Sequence, residues 1–349
     1  MNSIKWALIL SGLIFGVSEA NAVGRTFVAS EGVDSNTSTN CGLGTPCRTL
    51  SAALSVTDAG GEVIVKDSAG FGAGPVNITK SVSIIAPPGV YAAVPVLAGN
   101  SGFVISDPSV TGVAVVLKGL TINGFGAVNA ITMTGGASLV VEGCTITGFS
   151  ATNSVGIAVV GPINARIADT TIRNAYTGIA IEGGATASIS NLGLFNVSYA
   201  GVYVTDAGGS APGASYASVT NSESNNMGQA SATAFWAYST AVSAGIDLNN
   251  VSVNGGGQGV RATSTSSADS ASAVVNNSFI SRATTGLLAE QSGAGGAAQI
   301  TFSGTTLSSN VTGVNNDSGA NLFSDTSNLF VGNLNIMGVS SSIASASDM

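Results

Sequence analysis

From about residue 110 onward, short alternations of apolar and polar residues recur along the chain, separated by Gly or Asn. With Ile122, Ile146, Ile172, Leu194, Ser224, Val253, Ile280 and Leu307 as anchors, the spacings are 24, 26, 22, 30, 29, 27 and 27 residues. Five residues before the anchors stand Leu117, Val141, Ile167, Ile189, Val219, Leu248, Val275 and Phe302. Seven before them stand Val115, Leu139, Ala165, Ala187, Ala217, Ile246, Ala273 and Ile300. Both columns are apolar throughout. Successive side chains of a strand point to opposite faces, so each unit predicts a strand with one buried face.

The residues between the strand pieces are equally regular. Three before the anchors come Gly119, Gly143, Asp169, Asn191, Asn221, Asn250, Asn277 and Gly304. Two after them come Gly124, Gly148, Asn174, Asn196, Asn226, Gly255, Arg282 and Ser309. Gly, Asn and Asp tolerate the left-handed backbone that other residues avoid, so these columns predict corners. The run Asn191, Asn221, Asn250, Asn277 predicts a ladder of amides bonded from coil to coil. A strand–corner unit of about 26 residues without a helix is a solenoid coil, and stacked coils form parallel sheets. An antiparallel sandwich gives no reason for corner residues to align. The fold expected is all-β, a parallel β-helix of about ten coils.

Upstream, strand pieces are expected at 62–66, 76–78, 82–85, 103–105 and 113–117. Pro46 to Thr57 has helical character, with Leu50, Ala53 and Leu54 on one face, and ends before Gly60-Gly61. A short helix there would cap the first coil, whose sheet edges and open core need covering. The expected organisation is a signal peptide at 1–22, an N-terminal segment with capping helix at 23–60, the β-helix at 61–325, and a C-terminal cap with a loose Ser/Ala-rich tail at 326–349. Lys5, the apolar stretch Trp6 to Val17 and the small residues Ala20-Asn21-Ala22 carry the signal-peptide reading. That apolar run is short for about 30 Å of hydrocarbon, and no second run reaches spanning length. The expected location is therefore extracellular or at the cell surface, with the periplasm as the alternative, and no integral membrane segment after cleavage.

Composition narrows the chemistry. The 349 residues include 10 Lys and Arg, 18 Asp and Glu, and no His, for a net charge of −8. An acidic chain without a basic cluster argues against a nucleic-acid partner. Absence of histidine removes histidine bases, histidine zinc sites and Ser-His-Asp triads. Cys41 and Cys47 lie six apart in a Gly/Pro-rich loop, where they can form a disulfide ring in an oxidising compartment or remain free thiols. Cys144 falls in the column of Leu120, Thr170, Leu192, Val251, Ser278 and Thr305, which predicts a buried, inert thiol.

Arg25-Thr26-Phe27-Val28, Cys41, Pro46-Cys47-Arg48-Thr49, the Gly60-Gly61-Glu62-Val63 step and the phrase Leu117 to Gly124 resemble secreted bacterial β-helix repeat proteins of the pectin-lyase-like superfamily. The resemblance implies a right-handed, three-sheet β-helix but no activity. Lyases of this kind cluster acids around calcium and use an Arg or Lys base, and the glycosidases use grouped Asp carboxylates. Here the acids are scattered about one per coil, and Asp107-Pro108 lacks the His-Glu that follows it in some uronate epimerases. Lys118 and Glu142 share a column on adjacent coils and should pair. Arg166, in an outward column, reads as a solvated surface residue or, alternatively, a lyase base. Catalytic residues, metal ligands and cofactors are therefore none in this reading.

The unit between Phe195 and Val253 is stretched, with apparent insertions at 205–216 and 227–240. It holds Tyr203, Tyr216, Phe235, Trp236 and Tyr238, in a chain only 6% aromatic. These rings either cover the open core or form a glycan-binding surface. The expected function is an exported, non-catalytic structural, adhesive or glycan-binding module, whose partners are polysaccharide or copies of itself. The alternative is a polysaccharide lyase or glycoside hydrolase with an atypical site.

Overall fold

A computed structural model describes residues 23–337 and 343–345, apart from 109–111, 210–211, 226, 228, 267–268, 293–295 and 318. The expected signal peptide lies outside the described residues. Every strand pairing is parallel, and one sheet of 13 strands and one of 18 contain nearly all of the regular structure. Long strands such as Thr171–Glu182 turn a corner at Asn174, whose φ is 53°, so the larger sheet covers two faces of the solenoid. One coil thus runs Asn164–Ala168 on the first face, Thr171–Arg173 on the second and Thr177–Glu182 on the third. The fold is the expected parallel β-helix. Eleven rungs of the first face, from Gly61–Val65 to Asn321–Ser324, agree roughly with the expected ten coils.

The apolar columns form the core. All eight anchors are fully buried, Ser224 included, and their register runs unbroken from Ile122 to Leu307. The two upstream columns are also buried, none above 6% exposed. Stacking like on like places each apolar side chain between two others, and burial of each large one contributes about 1.5–3 kcal/mol.

The corners follow the same logic. All eight residues three before the anchors have positive φ, from 50° at Asp169, Asn221 and Asn277 to 72° at Gly119. In the second corner column, Gly148, Asn174, Asn196, Gly255, Arg282 and Ser309 also have positive φ, whereas Gly124 does not. The amide ladder is interrupted. Asn250 Nδ2 donates to Asn221 Oδ1 at 2.8 Å, but Asn277 donates to Asn249. Asn191 donates to Asp169, and Asn196 to Asn174 in the other column, each at 2.8 Å.

At the N-terminal end, helix Leu50–Val56 buries Leu50, Ala53 and Leu54, with the Thr49 hydroxyl accepting from Ala52 N. The preceding strand Arg25–Val28, missed by pattern reading, pairs with Gly61–Val65 and starts the first face. Cys41 and Cys47 form a disulfide with Cα atoms 4.9 Å apart, tying the loop beside this strand. At the other end, Ile343–Ser345 pairs with Leu322–Ser324, within the stretch expected to be a loose tail. Among the described residues no helix is long and apolar enough to cross a membrane. Leu194 is fully buried in the anchor column, so Leu194→Ala should cost about 2–5 kcal/mol, read by chemical denaturation.

Candidate functional site

The aromatic residues lie on regular strands and not in insertions. On the third face the register runs Ala180, Tyr203, Trp236, Arg261, Leu288 in one column and Glu182, Thr205, Tyr238, Thr263, Glu290 in the next outward one. Phe235 immediately precedes the first of these columns, pairs with Val202 and Val260, and is fully buried. It is a core residue, since alternate positions of a strand face opposite ways. Tyr216 is on the first face, 39% exposed, with its hydroxyl donating to the Asp247 carboxylate. Neither belongs to the surface that Tyr203, Trp236 and Tyr238 share.

Tyr176 and Tyr199 complete that surface. Their rings are stacked 4.9 Å apart and within 3° of parallel. Fixed offsets from the anchors hide the pair, because the register slips by one residue between Ala175 and Thr177. Tyr199 lies 5.6 Å from Trp236, Tyr203 5.1 Å from Trp236, and Tyr238 5.4 Å from Trp236. The Arg261 guanidinium covers Trp236 at 4.3 Å from the ring centroid and donates through Nε to Glu290 at 2.8 Å. Trp236 Nε1 donates to Thr263 Oγ1 at 3.1 Å. Each such aromatic pair contributes about 0.5–1.5 kcal/mol beyond its buried area. Trp236 keeps only 7% of its surface exposed. Trp236 thus meets Tyr203 and Tyr238 edge to face while Arg261 covers its ring, and Tyr176–Tyr199 and Tyr203–Tyr238 stack.

Most described carboxylates have structural partners. Asp206 is buried and accepts from the Ser239 hydroxyl at 2.7 Å, the Thr240 hydroxyl at 2.9 Å, and the backbone N–H groups of Thr240, Ala241 and Val242. Asp34, Asp67, Asp269 and Asp325 likewise accept from backbone N–H and hydroxyl groups at turns. Glu142 takes Lys118 Nζ at 2.6 Å and Arg166 at 3.4 Å, so the expected cross-coil pair forms and Arg166 joins it. The Lys118 hydrogen bond leads in holding the Glu142 carboxyl below its usual range. Cys144 is buried, and desolvation pushes its thiol up to about 11, as expected for an inert position.

Glu182 is different. It lies at the end of the aromatic flank, and burial holds its carboxyl above the usual range. A proton-donating acid is half of a glycosidase pair, but the ionised half must stand within about 5–10 Å. Glu290, paired with Arg261, occupies the same column four rungs away, about 19 Å at the strand spacing. These two cannot share one glycosidic bond. Among the described residues no group of three or more His, Cys, Asp or Glu is placed to hold a metal ion.

No protein-family profile matches the chain, and no curated protein does. Among solved structures it is similar to a pectate lyase, at 13% identity over 94% of this chain and 78% of that one, TM-score 0.32. It is also similar to the A-module of a mannuronan C-5 epimerase from Azotobacter vinelandii, at 10% identity over 82% and 89%, TM-score 0.33. A GH136 lacto-N-biosidase from Eubacterium ramulus matches at 8% identity over 92% and 67%, TM-score 0.35. At these identities and TM-scores none of the likenesses says what this chain does.

The Asp206 staple makes an acid-dependent prediction. Burial opposes the charge, but the bonds from Val242, Ala241 and Ser239 outweigh it and set the carboxyl below its usual range. A depressed carboxylate stabilises the fold above its unfolded value of about 3.9, and that contribution disappears as pH falls through the folded value. Asp206→Ala should cost about 3 kcal/mol at pH 7 by leaving buried donors unpaired. Chemical denaturation at pH 7 and pH 3 should show the gap from wild type narrowing in acid.

Proposed function

We propose that the protein is an exported, non-catalytic β-helix that acts as a structural, adhesive or glycan-binding module at or beyond the cell surface. The carrying observation is the outward ladder of Tyr176, Tyr199, Tyr203, Trp236 and Tyr238 on a rigid face, closed by the Arg261–Glu290 pair. Phenolic hydroxyls and an ion pair on an apolar base supply the donors, acceptors and ring edges that sugar hydroxyls and C–H groups need. The disulfide supports an oxidising compartment. The structural duties of the acids support binding without turnover, because a carboxylate committed to several backbone donors is a poor proton carrier.

A hydrolase or lyase reading draws only on the raised Glu182 carboxyl; Asp206, which follows its rung partner Thr205, is committed to Ser239, Thr240, Ala241 and Val242. Incubation of the purified protein with acidic and neutral polysaccharides, with and without calcium, is expected to release no reducing ends or unsaturated products. Affinity electrophoresis in the same polysaccharides should retard the wild type, and Tyr238→Ala should weaken that retardation severalfold. Turnover would contradict the non-catalytic reading, and unretarded migration in every polysaccharide would contradict glycan binding.

A further inference from the structure

The second face carries a different kind of aromatic surface. This face is only about three residues wide, and its outward positions form two columns. One reads Thr121, Thr145, Thr171, Gly193, Glu223, Ser252, Phe279, Thr306; the other reads Asn123, Thr147, Arg173, Phe195, Asn225, Asn254, Ser281, Ser308. Phe195 is the one apolar residue in the second of these. Its ring reaches back over Gly193, and a Cβ built there would lie 2.9 Å from Cε2. The missing side chain lets the ring lie down along the sheet, half-exposed, in contrast to the rings of the flank, which pack against one another.

Around this ring is an open depression of about 490 Å³, lined by Arg173, Asn191, Gly193, Phe195, Asn221 and Glu223 among others. The Arg173 guanidinium is 5.7 Å from the Phe195 centroid, and Arg173 has no ion pair among the described residues. Glu223 accepts from Asn225 Nδ2 at 2.9 Å and keeps further acceptor capacity. The strand Glu223–Asn225 separates this depression from a second on the same face, lined by Asn225, Asn254, Phe279 and Arg282. Gly193 and Phe279 stand three rungs apart in one column, about 14 Å along the solenoid axis.

We infer that this face binds an uncharged polysaccharide chain lying along the solenoid axis, with one hexose unit seated on Phe195 and the chain continuing towards Phe279. A flat ring complements the C–H face of a sugar, and donors from Arg173 and the amides stand beside acceptors from Glu223 and the amides, as adjacent hydroxyls require. The site selects against polyuronates. Glu223 on the rim and Asp169 behind Asn191 offset Arg173 and Arg282 on this face, and the chain carries a net charge of −8. The inference rests on the reading of the protein as a glycan-binding module, and it adds a second contact on a face that the aromatic flank does not share.

The test is calorimetric titration of the full chain with glucose and mannose hexasaccharides, and with hexagalacturonate as the acidic control. Wild type should bind a neutral hexasaccharide in preference to hexagalacturonate. Phe195→Ala should weaken that binding at least tenfold, and Gly193→Ala, which lifts the ring without removing it, severalfold. Emission of Trp236 reports the flank separately, and any response to sugar should survive Phe195→Ala. Wild-type affinity in a folded Phe195→Ala variant, or preference for hexagalacturonate, overturns the inference. Loss of binding in Tyr238→Ala alone overturns it while leaving the module reading intact. No heat with any oligosaccharide overturns both.

Discussion

The structure depends on one repeated constraint: the chain must turn between faces at the same two points in every coil without shifting register. A left-handed residue makes that turn in one position, and it costs an ordinary L-residue about 1–2 kcal/mol. Gly, Asn and Asp lower that cost, and they fill the first corner column completely. Because the corner is fixed, the residues five and seven before each anchor fall on the core side in every rung. A slip of one residue would send an entire apolar column to solvent. The Asn amide bonds between coils reinforce the corners, but they are intermittent, so the backbone conformation carries the greater part.

This constraint also explains what pattern reading could see. The inward columns, the corners, the Lys118–Glu142 pair and the buried Cys144 all follow from fixed offsets, and they appear where the offsets put them. The aromatic flank was only partly legible. Tyr203, Trp236 and Tyr238 stand out by composition, but separating them from Phe235 requires the strand's alternation, which the stretched spacing obscured. The one-residue irregularity before Tyr199 moved it out of column with Tyr176. Phe195 gave a weaker signal still, since its significance lies in the glycine two residues earlier.

The low charge of the chain is a property of the coil. Outer positions of a narrow face can be Thr, Ser or Asn, and hydroxyls and amides satisfy neighbouring rungs without a charge. The few acids then serve where backbone N–H groups would otherwise be stranded at turns, as Asp206 does for Thr240, Ala241 and Val242. A carboxylate so committed is unsuited to proton transfer, and Glu182 and Glu290 are too far apart to act as one pair. What remains for ligands is the outer surface, where aromatic rings and neutral polar groups recur along the axis.

Asn221, with φ of 50°, tests the corner account most directly. Equilibrium unfolding of Asn221→Gly and Asn221→Val separates backbone conformation from the amide bond, since both variants lose the side-chain amide. The account predicts that Gly stays within about 1 kcal/mol of wild type, whereas Val loses about 2 kcal/mol more than Gly. Equal losses in the two variants would contradict it, because they would make the amide, and not the left-handed turn, the element that holds the coils in register.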